Sequence, residues 1–166
     1  NADVDGRFLG AELRASAVFL GQGGFYAKPS AALAYTQVWQ DGFTESGDGG
    51  LNWNVNSVSE DWLAFTPAVE VGRAFQASNR SALAFFRAGV TVALTDPTLT
   101  MSSTLVGADA PGAFNGALTS DRYQGDFAAG IEVELRDNLS ISLLGQAALS
   151  ENSYDYGGSA RIEFRF

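Results

Sequence analysis

Any chemistry in this chain has to come from carboxylates, arginines and amides, because the sequence holds neither histidine nor cysteine. Thiol catalysis, disulfides, thiolate metal sites and histidine-based triads are thereby excluded. The notable ionisable residues are Glu12 with Arg14, Glu132 with Glu134, Arg161 with Glu163, and Arg87 and Asp126. Two carboxylates flanking a glycosidic bond can cleave it, but no spacing here singles out such a pair. "DVDG", with Asp3, Asp5 and Gly6, begins like a calcium loop yet lacks the later ligands, so it reads as an acidic turn. "GQGG", from Gly21 to Gly24, has no following helix and reads as a tight turn rather than a phosphate cradle. "ESGDGG", with Glu45 and Asp48, reads as a loop tip. No catalytic residue, metal site or cofactor is assigned.

The charged residues share a more informative property, which is a period of two against apolar neighbours. In the terminal "YDYGGSARIEFRF", Ala160, Ile162, Phe164 and Phe166 alternate with Ser159, Arg161, Glu163 and Arg165. That period sends one set to each face of a strand. Six further segments behave alike: "GRFLGAELRASAVFL", "FYAKPSAALAYTQVW", "WLAFTPAVEVGRAF", "SALAFFRAGVTVALT", "DRYQGDFAAGIEVEL" and "NLSISLLGQAALS". No helical period competes over a comparable length. Pro29 and Pro67 fall inside segments, and each is expected at a strand start, an edge or a bulge, since proline has no N–H for the ladder.

Connections after the first, third and fifth segments are short ("GQGG", "QASN", "RDN"), and those after the second, fourth and sixth are longer or more polar. Within the second connection, "FTESGDGGLNWNVN" is expected to extend a hairpin with "GDGG" at its tip. Alternation of short turns and long loops is the habit of a transmembrane barrel. No run of about eighteen uncharged apolar residues exists, so a transmembrane helix is excluded; barrel strands hide their hydrophobicity by alternation. The net charge of −9 argues against a nucleic-acid partner.

Charges on so many strands cannot be desolvated in an apolar core without large cost. Two folds satisfy them. A soluble β-sandwich would turn its apolar faces inward and its charges outward. A membrane barrel would turn its apolar faces to lipid and its charges to a wet lumen. Tyr26, Trp39, Trp62, Tyr123, Tyr154 and Tyr156, near segment ends, suit the interfacial girdle of the second.

The residues also carry a resemblance. "GFYAKPSAALAYTQVWQDGFTESGDGGLNW" resembles the autotransporter β-domain pattern of an aromatic-proline strand, a tyrosine strand end, and a phenylalanine followed by Glu and Ser-Gly. "LRDNLSISLLGQAALSENSYDYGGSARIEFRF" resembles the last hairpin of the same family, ending in aromatic-Arg-Phe. The resemblance implies an all-β fold, an antiparallel transmembrane β-barrel of the bacterial outer membrane, that exports or displays an N-terminal passenger. It implies as partners the lipid of that membrane, the passenger, and the machinery that inserts outer-membrane barrels. Carried over by position, the assembly signal read by that machinery falls on Tyr156, Ile162, Phe164 and Phe166. Arg161 departs from the pattern, which often has glycine there. The lumen lining is expected from Glu12, Arg14, Arg87, Asp126, Glu132, Glu134, Arg161 and Glu163. Seven strands is an odd number, so residues 1–166 read as one barrel domain that is the C-terminal portion of a longer barrel. Some family members cut off their own passenger with an asparagine and nearby acids, but Asn1, before the first strand, does not match that arrangement. The alternative function is a small barrel without a passenger, structural, adhesive or porin-like.

Overall fold

The structure, a computed structural model, describes residues 4–45, 52–77, 80–106 and 113–165. Its strands are β1 (Gly6–Ser16), β2 (Phe19–Leu20), β3 (Phe25–Gln40), β4 (Phe43–Thr44), β5 (Asn52–Val55), β6 (Val58–Ala77), β7 (Arg80–Ala93), β8 (Thr98–Val106), β9 (Ala113–Thr119), β10 (Tyr123–Arg136), β11 (Leu139–Ser150) and β12 (Tyr154–Phe164). They form two sheets. One runs β1-β3-β6-β7-β10-β11-β12, with β2 also paired to β3; the other runs β4-β5-β8-β9.

The larger sheet contains all seven alternating segments as an up-and-down meander. Strands of 11 to 20 residues meet or exceed the roughly 9–11 that a tilted strand needs to cross a bilayer. Pro29 explains why the first segment is split into β1 and β2. Its carbonyl accepts from Ala17 N–H at 3.1 Å, but it has no N–H to return, and the ladder breaks at Ala17 and Val18. Pro67 meets neither the first nor the second of the three expected settings. It lies well inside β6, between β3 and β7, at neither a strand start nor an edge.

"GQGG" folds as the tight turn expected of it, a 3-10 turn over Gln22–Gly24 with Gly23 at φ 67° and Gly24 at φ 79°. Those left-handed angles need glycine. At Gly24 a Cβ would also overlap the Ala74 carbonyl. Arg73 fastens the turn, donating Nε to the Gly23 carbonyl at 3.1 Å with its guanidinium 4.8 Å from the centre of the Phe25 ring.

The smaller sheet is built from the connections. Phe43 pairs with Val55 and Thr44 with Asn54, the expected hairpin; its "GDGG" tip, including Asp48, lies outside the described residues. The connection between the fourth and fifth segments, read as a loop, holds a second hairpin, β8 with β9, and β8 also pairs with β5. The connection after the sixth segment is polar and short, Glu151, Asn152 and Ser153 between β11 and β12. "DVDG" is not a free turn where it is described: Gly6 opens β1, and the Asp5 carbonyl accepts from Asp41 N–H at 3.0 Å.

Residue contacts divide the chain into two compact units, Asn1–Glu12, Ala34–Ala64 and Ala93–Ser120 in one, and Leu13–Leu33, Phe65–Val92 and Asp121–Phe166 in the other. The first holds the whole smaller sheet. The second holds β10, β11, β12 and the greater part of β7.

Burial decides between the two folds that the sequence allows. Among the described residues the buried apolar set is Ala64, Ala68, Ala82 and Ala93, and no large side chain is fully buried. Leu13, Phe86, Leu143, Ile162 and Phe164 are exposed instead, Leu13 at 74% and Ile162 at 65%. The accessible surface is 11907 Å² for 17.5 kDa, against about 7,900 Å² for a globular monomer of that mass. A sandwich would seal these side chains between its sheets. Here they stand exposed on strand faces that no described residue buries.

Candidate functional site

Register fixes which side chains share a face, because residues directly opposite one another in an antiparallel pair point the same way. Glu132 faces Ser142 and Leu83, and Ser142 faces Arg161. Glu134 faces Ser140, which faces Glu163. Ala128 faces Arg87 and Gln146, and Asp126 faces Gly89 and Ala148. Arg87, Asp126, Glu132, Glu134, Arg161 and Glu163 therefore lie on one face of the larger sheet. Glu12 and Arg14 alternate along β1 with exposed Leu9 and Leu13.

The opposite face is apolar along its length. Ile131 opposes Ala84 and Leu143, and Leu143 opposes Ala160. Ile141 opposes Val133 and Ile162, and Leu139 opposes Phe164. Phe86 and Phe127 stack at 6.5 Å between centroids. Of the predicted assembly signal, Tyr156, Ile162 and Phe164 share this face and are exposed. Phe166 lies outside the described residues.

A cleft of about 450 Å³ opens on the polar face. Its cause is a run of small residues. Gly89, Ala148 and Asp155 share the row of Asp126, while Ala128 and Gly157 share the row of Arg87 and Gln146. Space opens over the small residues, and the long polar side chains rim it. The Gln146 amide lies 3.5 Å from where a Cβ on Gly157 would stand. On one side the wall is a hydrogen-bonded chain across three strands. Thr91 Oγ1 donates to Asp126 Oδ2 at 2.8 Å, Thr66 and Thr91 hydroxyls lie 3.0 Å apart, and Gln124 Nε2 donates to Asp126 Oδ1 at 2.9 Å. Arg87 and Gln146 offer donors and Asp126 and Asp155 offer acceptors, a set suited to holding a polar chain in water.

Two aromatic residues lie over glycines on this same polar face. Tyr26 covers Gly72, whose Cβ would overlap its ring, and donates its hydroxyl to Glu70 Oε1 at 2.8 Å. Phe85 covers Gly130 in the same manner. Tyr26 is thus not part of an interfacial girdle, because its ring and hydroxyl are spent on the polar face. The partners lie 44 residues apart in the chain, and no local pattern announces the pairing. Among the described residues no group of three or more His, Cys, Asp or Glu could hold a metal ion.

The family model described as "Autotransporter beta-domain" matches residues 1–146. The chain belongs to this family. No curated protein matches it. Membership makes the larger sheet part of an outer-membrane translocator barrel of a Gram-negative bacterium and matches the resemblance read from the sequence. The family is one of translocators rather than catalysts. In this autotransporter β-domain the matched stretch ends at Gln146, within β11, so β12 and its predicted assembly signal lie beyond it.

Proposed function

We propose that this β-domain assists export or surface display of an N-terminal passenger, with its polar face as the water-filled path. One observation carries the reading: six charged residues share a face whose reverse is apolar and exposed. In hydrocarbon the apolar face is satisfied, every ladder N–H and C=O is bonded internally, and the charges keep their water. The lining is Glu12, Arg14, Arg87, Asp126, Glu132, Glu134, Arg161 and Glu163, and a passenger segment rests against the Arg87–Gln146 rim of the cleft.

The barrel in this proposal is larger than the seven strands. An up-and-down sheet of seven has its first and last strands running in the same direction, so closing it with antiparallel pairs takes an odd number of further strands. Left open in lipid, the β1 and β12 edges would each expose a row of unpaired backbone groups at several kcal/mol apiece. Residues 1–166 then form the C-terminal portion of one barrel domain. Tyr156, Ile162, Phe164 and Phe166 are the residues that the insertion machinery reads.

The test fills the cleft of the complete protein, expressed in its native kind of membrane. Ala128→Trp with Gly157→Trp is expected to leave a heat-modifiable barrel in the outer membrane and to stall the passenger, which surface protease then fails to shave. Unchanged display with the cleft filled overturns the export path. A complete protein that carries no passenger at all favours the structural, adhesive or porin-like barrel. For the signal, Phe164→Ala with Phe166→Ala is expected to lower inserted barrel while leaving synthesis unchanged; full insertion removes that role.

A further inference from the structure

We propose that the smaller sheet is a self-association surface, through which β9 pairs edge to edge with β9 of a second copy of this chain. The inference goes beyond export and holds whether or not a passenger is carried.

The smaller sheet is sharply two-faced. Leu99 opposes Leu118, Met101 opposes Gly116, Ser103 opposes Phe114 and Val55, and Trp53 opposes Leu105. The other face carries Thr98, Thr100, Ser102, Thr104, Asn54 and Asn115. On that polar face Asn56, which continues the β5–β8 ladder, donates Nδ2 to Ser102 Oγ at 2.8 Å. Both faces of β9 are open to solvent, and on the apolar one Phe114 is exposed at 65% and Leu118 at 68%. An apolar patch left outward marks a contact with another body.

The edges of the sheet indicate how that contact is made. At one end β4 offers only two residues. At the other, β9 offers seven, and among the described strands it pairs with β8 alone. Natural edges are blunted with lysine, proline or inward charges. Here "AFNGALT" has none of these, and β4, β5, β8 and β9 together contain no charged residue.

Self-complementarity selects the partner. Rotated by a half turn about Gly116, β9 sets Phe114 against Leu118 of the copy, Asn115 against Ala117, and Gly116 against itself. Large residues then meet large ones on one face and small ones meet on the other, the isologous arrangement of a two-fold dimer. Met101, opposite Gly116 in each copy, has the length and flexibility to fill the notch that the two glycines leave. Charge points the same way. A chain of net charge −9 repels its copies, and the seven residues of β9 add no charge to that repulsion, the carboxylates of Glu45 and Asp96 being held instead at Trp53 of β5 and Thr98 of β8.

Because the chain lacks cysteine, one introduced thiol reports contact between copies. Gly116→Cys adds a Cβ whose nearest heavy atom is 3.8 Å away, so the fold tolerates it. The full-length protein in detergent micelles, shown folded by heat modifiability, is expected to cross-link through Gly116→Cys and not through Thr44→Cys on the opposite edge. Light scattering is expected to find a dimer that Leu118→Lys weakens about tenfold or more. Equal cross-linking of the two cysteine variants overturns the proposal, as does a wild-type monomer at millimolar concentration. If Gly116→Cys is monomeric and shielded from a water-soluble thiol reagent in vesicles, the face belongs to lipid instead.

Discussion

The two sheets of this β-domain use the same alternation and differ in what alternates with the apolar residues. In the larger sheet the polar rows carry Arg87, Asp126, Glu132, Glu134, Arg161 and Glu163; in the smaller they carry threonine, serine and asparagine, with no charge. Strand length separates them too, at 11 to 20 residues for the main strands of the larger sheet against two to nine. Apolar character alone therefore does not mark a lipid-facing surface. A bilayer-crossing strand needs length as well, and charges are tolerable on its reverse only because water lies there.

The largest test of that contrast introduces arginine into both apolar faces. Leu143→Arg, in the middle of β11, is expected to cost about 2–4 kcal/mol of unfolding free energy in lipid vesicles if it lies near the midplane. Leu118→Arg in β9, whose seven residues are too few to cross a bilayer, is expected to stay within about 0.5 kcal/mol. Ser142→Arg, one residue from Leu143 and on the other face, should be as mild as Leu118→Arg. Denaturant titration of the three variants decides it. Equal costs at Leu143 and Ser142 would mean the larger sheet has no lipid side.

A second test sharpens the contrast within the polar face. Gly72→Ala puts a methyl where the Tyr26 ring lies, so the ring must move and its hydrogen bond to Glu70 is lost. The expected cost is about 1–3 kcal/mol. Tyr26→Phe, which keeps the ring and removes the hydroxyl, should cost about 0.5–1.5 kcal/mol. If Gly72→Ala unfolds at the wild-type midpoint, the aromatic covering of glycine does not hold β3 to β6.

These contrasts also show what was legible beforehand. The main strands were legible because a period of two over ten or more residues has few competing explanations. β11 begins at Leu139, one residue from the segment as read, and β6, the poorest, begins four residues early at Val58. The smaller sheet was half legible. Phe43 to Val55 shows a hairpin around glycines, whereas β8 and β9 alternate Leu and Met with Thr and Ser, a weaker contrast broken by Ser102–Ser103 and by Gly116. Their pairing with β5 is a contact between distant segments that no local pattern encodes. For the candidate site, face membership followed from parity along each strand. The cleft did not, because it depends on where Ala128, Gly157 and Gly89 fall relative to Arg87 and Gln146 across four strands. Tyr26 was misplaced for the same reason, since an aromatic near a strand end looks alike whether it faces lipid or a distant glycine.

The smallest expected effect concerns the loop side of the larger sheet, where one carboxylate fastens the last hairpin. Asp121 accepts from Asn152 N–H at 2.8 Å and from the Asn152 side-chain amide. Donation from Ser150 first, then from the Asn152 backbone and side chain, holds its carboxyl below the usual carboxylate range. A depressed pKa has a definite sign. The stabilisation is present above the pKa of the unfolded chain and is lost as pH falls through the lower, folded value. Because Asp121 is only partly covered, solvent screens the interaction and the consequence is local. Backbone amide exchange at Asn152 is expected to accelerate, relative to strand amides, as the medium is acidified through that range. Asp121→Asn should show the fast exchange at neutral pH and no further response to acid. Exchange at Asn152 that ignores both acid and the substitution would show that the turn of residues 151–153, and not the carboxylate, holds β11 to β12 at this end.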